Sequence, residues 1–236
     1  MTQPLSALGR DYSAAFEAYI KERGQDEYDC VHALRFDATA RLGGPVLNEA
    51  ESVLELGGHS RIGDFARQVL QKRVDEYTAD LRFPFALPDA AYDCVLCLEV
   101  LEHIKDSPVF ETDISMIGHF SYTGVQNVFA EAFRVLKPGG ALIITTPNAS
   151  SVDVIVQVMR KAPPHLFDPH VREMTPGQVI MHAEQAGFRL KNMATLFAWT
   201  TATPELRQQV LDFLTELGFD AADRGDDAYY EFRKPA

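Results

Sequence analysis

The chain is short of cysteine, of positive charge and of long apolar runs. Its 236 residues hold three cysteines, Cys30, Cys94 and Cys97. An odd, small number of thiols builds no disulfide framework and fits a reducing compartment. The opening MTQPLSALGRDYSAAF lacks a basic start followed by an apolar core, so no signal peptide is expected. No apolar run approaches the roughly 20 residues that span a bilayer. A cytoplasmic location is therefore expected. Lysine and arginine number 22 against 34 acidic residues, a net charge of −12. Such a surface repels phosphate backbones, and no dense Lys/Arg run offsets it, so nucleic acid is not expected as a partner. The remaining composition, 46% hydrophobic and 24% charged, is that of a globular chain with one sizeable core and an appendage.

Periodicity supplies the elements. Ala14, Ala15, Ala18 and Tyr19 recur at helical spacing, and Gly24 would end that helix. A second helix is expected over 26–42, closed by Gly43-Gly44-Pro45. Short apolar runs predict strands at Ser52–Leu56, Tyr92–Leu98, 141–146, 188–197 and 228–232. Between them, helices are expected over 61–72, 124–136, 175–186 and 204–217. Thr175 is placed to cap the third of these, with Pro176 at its first position. The alternation implies an α/β fold, doubly wound, with a mostly parallel sheet and helices on both faces. Residues 1–48 are expected as a helical extension that packs and partly covers a cleft. Residues 49–236 form the main domain, with insertions at 105–124 and 149–175 on the substrate side. Ligands of such sheets sit beyond the carboxyl ends of the strands, where Gly57, Glu99 and Pro147 fall.

The first of those ends reads VLELGGHSRIGDF over 53–65. Glycine directly after a strand lets backbone approach a ligand closely. The dinucleotide pattern G-x-G-x-x-G fails here. Counted from Gly57, the later positions are His59 and Ile62; counted from Gly58, they are Ser60 and Gly63. A nicotinamide cofactor is poorly supported.

Three segments in order carry more. The V-L-E-L-G opening is followed by DLRFPFALPDAAYDCVLCLEVLEHI over 80–104 and by EAFRVLKPGGALIITTPN over 131–148. Together they resemble the class I S-adenosylmethionine-dependent methyltransferases of the small-molecule "type 11" kind, over roughly residues 50–150. The resemblance implies a Rossmann-like fold and S-adenosyl-L-methionine as cofactor. Glu55 looks like the acid before the glycine loop, near the amino-acid end of the cofactor, and Gly57 and Gly58 like the close-approach backbone. Asp80 and Leu81 match the position that contacts the adenine. Leu98 and Glu99 match the strand end beside the methionine part.

Two departures stand out. His59 and Arg61 replace glycines, and their side chains either crowd the cofactor, point away or bind something themselves. The 23 positions from Gly57 to Asp80 are also few, because the family fits a strand, a helix and another strand there. Asp75 and Glu76 are the candidates for the ribose acid, by analogy with related nucleotide folds, and Asp80 takes part of that role if the chain is compressed.

Methyl transfer is an in-line displacement at a sulfonium, so the protein mainly positions the acceptor and excludes water. A base matters where a hydroxyl must lose its proton. His103 has two readings, that base or a residue orienting a loop. His119, in an insertion too apolar for a freely solvated loop, is the second catalytic candidate, and Tyr122 belongs to the same expected substrate wall. His165, His170 and Arg172 either bind an acidic or hydroxyl-rich substrate or serve as a loop-to-helix cap and ion pair. Cys94 and Cys97 stand three apart on a strand, hence on opposite faces, and form no metal pair. His182 has no partner at metal spacing, and no metal ligand set is read. The expected activity is methylation of a small-molecule or carbohydrate-type acceptor, at oxygen. A binding protein with a spoiled glycine loop and a protein or RNA methyltransferase are the alternatives.

Overall fold

The computed structural model describes residues 11–106, 122–199 and 201–236. Three helices lead the described residues: α1 (Tyr12–Arg23), α2 (Glu27–Val31) and α3 (Ala33–Glu49). Then follow β1 (Ser52–Leu56), α4 (Arg61–Gln68), β2 (Arg73–Tyr77) and β3 (Tyr92–Leu98). A 3-10 turn at Leu101–His103 precedes α5 (Thr123–Val135) and β4 (Leu136–Pro147). The chain closes with α6 (Val152–Met159), α7 (Pro176–Gln185), β5 (Arg189–Leu196), α8 (Pro204–Glu216) and β6 (Asp227–Arg233).

The six strands form one sheet in the order β2-β1-β3-β4-β6-β5. β1 pairs in parallel with β2 and β3, and β3 with β4, while β6 runs antiparallel to both β4 and β5. Five strands therefore point one way and β6 alone is reversed, which is the mostly parallel sheet expected. Strand alternation divides the core into two layers. Leu54, Leu56, Val95 and Cys97 pack with Val125, Phe129 and Val179 on one face. Val53, Cys94 and Leu96 pack with Phe16, Leu47 and Phe65 on the other. Cys94 and Cys97 thus lie on opposite faces, both buried and free, as their spacing required.

The structure departs from the sequence expectations at four places. Gly43-Gly44-Pro45 does not stop a helix; α3 runs through it to Glu49. A Cβ on Gly44 would sit 2.4 Å from Cγ of Tyr12, and one on Gly43 would sit 3.1 Å from Cδ1 of Ile143. The glycines are where α1 and the sheet approach α3, and that packing overrides their weak helix propensity. The expected helix over 26–42 is broken at His32 into α2 and α3. Residues 73–77 form β2, which was not anticipated: its sequence RVDEY carries three charges because it is the sheet edge. Finally, the insertion over 149–175 contains α6, capped by the Ser151 hydroxyl accepting from the Val154 amide at 3.2 Å.

Candidate active site

The carboxyl ends of β1 and β3 open into a cleft of about 160 Å³. The floor is Glu55 to Arg61 and Leu98 to Val100; Tyr28, Arg35 and Phe36 of the leading helices form the opposite wall. Gly57 has φ +86°, and a Cβ there would meet Val100 Cγ2 at 2.7 Å. Gly58 is also left-handed, at φ +109°. The loop backbone lies open because no side chain fits at Gly57. The Ser60 hydroxyl then accepts from the Gly63 amide at 3.0 Å and caps α4.

Glu55 is 1% exposed, and apart from the nearby Ser60 hydroxyl and amide its carboxylate oxygens have no hydrogen-bond partner. Burial pushes its carboxyl up to about 7, against the opposing pull of nearby Ser60. Gly63 makes room for it: a Cβ there would lie 2.0 Å from Oε2 of Glu55. Glu99 adopts φ +55°, a left-handed conformation that is uncommon for a non-glycine residue. Its amide donates to the Thr145 carbonyl at 2.9 Å, and Arg35 Nη1 stands 3.8 Å from Oε1. Arg35 itself is 4% exposed and stacks over Phe36 at 4.6 Å. Burial and the charge of Glu99 push the fully buried Asp227 well above the carboxylate range.

The two departures in the glycine loop have definite partners. His59 Nε2 lies 2.8 Å from Oδ2 of Asp64, and Nδ1 lies 3.4 Å from Oε1 of Glu76. Arg61 Nε donates to Oδ1 of Asp29 at 2.7 Å, and its Nη2 to Oδ2 of Asp26 at 2.8 Å. Asp26 and Asp29 are the two ends of a reciprocal capping box on α2. The polar ends of both side chains are therefore held by carboxylates of the chain itself. Arg61 fastens the leading helices to the first turn of α4.

The other cofactor-side candidates are spread out. Glu76 accepts from Arg67 Nη2 at 2.9 Å besides meeting His59. Asp75, on the opposite face of β2, pairs with Arg73 and accepts from the Tyr92 hydroxyl at 3.0 Å. Asp80 is closed on Arg82, whose side chain and backbone amide hold its carboxyl down to about 2. Leu81 is 5% exposed in the core, and Leu98 lines the cleft.

Beyond β3 the 3-10 turn places Glu102 and His103. Glu102 is 1% exposed; Oε2 accepts from the Thr146 hydroxyl at 2.9 Å, and Oε1 has no hydrogen-bond partner, His103 Nε2 standing 3.9 Å away. Its carbonyl accepts from the amides of Val171 and Arg172, at 2.8 and 3.2 Å. Those bonds seat the 165–173 loop on the turn and bring His170 to His103, ring centroids 4.9 Å apart. Burial, then the nearby His170, lowers the His103 pKa. His170 Nδ1 pairs with Oε1 of Glu173 at 2.6 Å. Arg172 Nη2 donates to Asp106 at 2.6 Å and stacks over Tyr122 at 4.4 Å. The Tyr122 hydroxyl accepts from Gln178 at 2.8 Å. His165 turns to Asp168 at 2.9 Å. His119 lies outside the described residues.

Sequence reasoning missed Asp26, Asp29, Arg35, Glu102, Glu173 and Asp227. Arg35 and Asp29 carried the one legible signal, a charge amid apolar residues of a helix. The remainder depend on contacts made far along the chain.

A sequence family described as "Methyltransferase domain" matches residues 23–192. A protein of Mycolicibacterium smegmatis, named "Probable S-adenosylmethionine-dependent methyltransferase", is 29% identical over 164 residues, 61% of this chain and 54% of its own length. The chain thus spans about half the length of that curated relative. Among solved structures, a SAM-dependent methyltransferase from Archaeoglobus fulgidus superposes with a TM-score of 0.56 at 15% identity, covering 93% of this chain and 99% of that one. A Thermotoga maritima protein described as a possible histamine N-methyltransferase gives 0.51 at 16% identity, covering 94% and 99%. At these identities the likeness is one of fold. Among the described residues no helix is long and apolar enough to cross a membrane.

Proposed function

The chain belongs to the methyltransferase-domain family of class I S-adenosylmethionine-dependent enzymes, and on that premise we propose that it methylates a hydroxyl oxygen of a small-molecule or carbohydrate-type acceptor. The observation that carries this reading is the cradle at Glu55, Gly57 and Gly58. A buried carboxylate with no charged partner bonded to it and only Ser60 as a nearby donor, beside backbone that tolerates no side chain, suits a ligand bearing positive charge. S-adenosylmethionine carries two cations, a sulfonium and an ammonium. Glu55 and Glu99 would face that cationic end, Leu98 would flank it, and Glu76 at the end of β2 would reach the ribose past His59. Asp80 and Leu81 mark the adenine side. Tyr28, Arg35 and Phe36 would act as the lid, fastened by Arg61.

The donor supplies a methyl group already activated on a sulfonium, released as the carbon–sulfur bond passes its electron pair to sulfur. The chain must hold an acceptor oxygen in line and take its proton. His103 stands past the end of β3, where burial, then the nearby His170, lowers its pKa and favours the neutral ring. It can accept that proton as the carbon–oxygen bond forms. His170 lies against it, and Arg172 and Tyr122 form the wall behind. His165 sits at the rim, and the described segment 149–175 borders the acceptor side. The acidic surface favours a small acceptor over nucleic acid.

A binding protein with a spoiled loop is the competing reading. The partners of His59 and Arg61 speak against it, because the polar end of each side chain is already held away by a carboxylate. Calorimetric titration with S-adenosylhomocysteine tests the choice. One-site binding is expected, followed by label transfer from the methyl donor to hydroxylated acceptors. No binding to the folded protein would overturn the reading.

A further inference from the structure

Glu102, His103 and His170 each offer one ligand atom, and those atoms lie within 4.8 Å of one another. Three features show more than a chance meeting. First, Glu102 Oε1 is buried without a hydrogen-bond partner, while Oε2 is fixed by Thr146. An unpaired carboxylate oxygen in a dry site costs free energy unless an ion or water meets it. Second, His170 Nδ1 is held by Glu173 at 2.6 Å. That leaves Nε2 as the free nitrogen, with a carboxylate fixing ring orientation and tautomer, as is usual behind a metal-bound histidine. Glu173 is fixed in turn by the amides of Leu166 and Phe167, at 2.8 and 3.3 Å. Third, the loop carrying His170 is seated by the Glu102 carbonyl, so two of the three ligands are positioned by one turn.

We propose that Glu102, His103 and His170 form a binding site for one divalent transition-metal ion beside the methyl-transfer cleft. Two imidazoles and one carboxylate favour a first-row ion such as Mn²⁺, Co²⁺ or Zn²⁺ over Mg²⁺ or Ca²⁺, which prefer all-oxygen shells. Bonds of about 2.0–2.2 Å place neighbouring ligands about 3 Å apart. His103 Nε2 stands 3.9 Å from Glu102 Oε1, so the set closes by about 1 Å there. The His103 side chain is 47% exposed and can make that turn. Its exposure also leaves coordination positions open to solvent, where an acceptor oxygen can bind. A hydroxyl so bound ionises more readily. With the ion in place His103 is a ligand, and the proton leaves to solvent instead of to the imidazole.

The site stands on the geometry of these residues and does not depend on the acceptor or on methyl transfer. The test uses the full chain, stripped with a chelator and titrated with Co²⁺ and Mn²⁺ by calorimetry, with visible absorption recording imidazole ligation of Co²⁺. One ion per chain is expected, with Kd below about 0.1 mM. His103→Ala, at a half-exposed position that leaves the fold intact, and His170→Ala should each weaken binding at least tenfold. Glu173→Gln should weaken it ten- to a hundredfold through the ring it orients. His32→Asn, outside the cluster, should leave it unchanged. Kd above about 1 mM, or binding indifferent to both His103→Ala and His170→Ala, overturns the proposal. S-adenosylhomocysteine titrated separately keeps the two readings apart. Metal binding without it defeats the methyltransferase reading alone, and the reverse defeats this site alone.

Discussion

Replacing Arg61 with alanine removes the bond between the leading helices and the glycine loop. The guanidinium lies 5.7 Å from the Tyr28 ring centroid and makes two ion pairs of unequal worth. Asp26 is 49% exposed, so its pair with Arg61 is screened and contributes at most about 1 kcal/mol. The Asp29 side chain is 1% exposed, and a hydrogen bond to a charged group there is worth about 1.5–3 kcal/mol. Asp29 keeps two other donors, Arg23 Nη2 at 3.0 Å and the Asp26 amide at 3.1 Å. It is therefore not stranded, and the larger penalty of a broken buried pair does not apply. The expected loss is about 2–3 kcal/mol by urea unfolding. A double-mutant cycle with Asp29→Asn should return a coupling near 2 kcal/mol. Most of it should survive about 0.5 M salt, because the buried partner is poorly screened. Amide exchange should quicken over residues 12–31 ahead of the sheet. A coupling under about 0.5 kcal/mol, or unchanged exchange in α1 and α2, would refute the fastening role. Asp29 also sets a pH limit. Burial raises its pKa, but the Arg61 and backbone hydrogen bonds outweigh this and leave it below the ordinary value. Its contribution is complete above about pH 4 and is lost as pH falls further.

Two further expectations follow from the cradle. Gly57→Val should abolish S-adenosylhomocysteine binding in a folded protein, since φ +86° and the 2.7 Å approach to Val100 both exclude a side chain; His59→Gly should retain it, and loss of binding there would make His59 a ligand contact. Burial raises the Glu55 carboxyl from 4.5 to about 7, so the unfolded chain ionises first and stability falls as pH rises across that window, by about 3 kcal/mol. Glu55→Gln should flatten that slope in urea midpoints measured at pH 5 and 7.5, and an unchanged slope would place the proton elsewhere.

Local pattern alone determined much of this protein. The apolar runs of β1, β3 and β4, the glycine after β1 and the capped helix after Thr175 follow from short-range sterics and alternation. The opposite placement of Cys94 and Cys97 needed no more than strand geometry. The positions of Glu55, Gly57 and Glu99 at strand ends were legible for the same reason. Only the tertiary structure decided the rest. The strand at Arg73–Tyr77 escaped notice because a charged edge strand lacks the apolar run that marks a buried one. Gly43-Gly44-Pro45 reads as a stop in one dimension and becomes a helix interior once Tyr12 packs against it. Arg61 finds its partners 32 and 35 positions earlier. His103 meets His170 across 67 positions because the Glu102 carbonyl accepts from the Val171 and Arg172 amides. Spacing in sequence reports what one helix or strand places on one face; it carries no information about a site whose ligands are joined by backbone hydrogen bonds between distant segments.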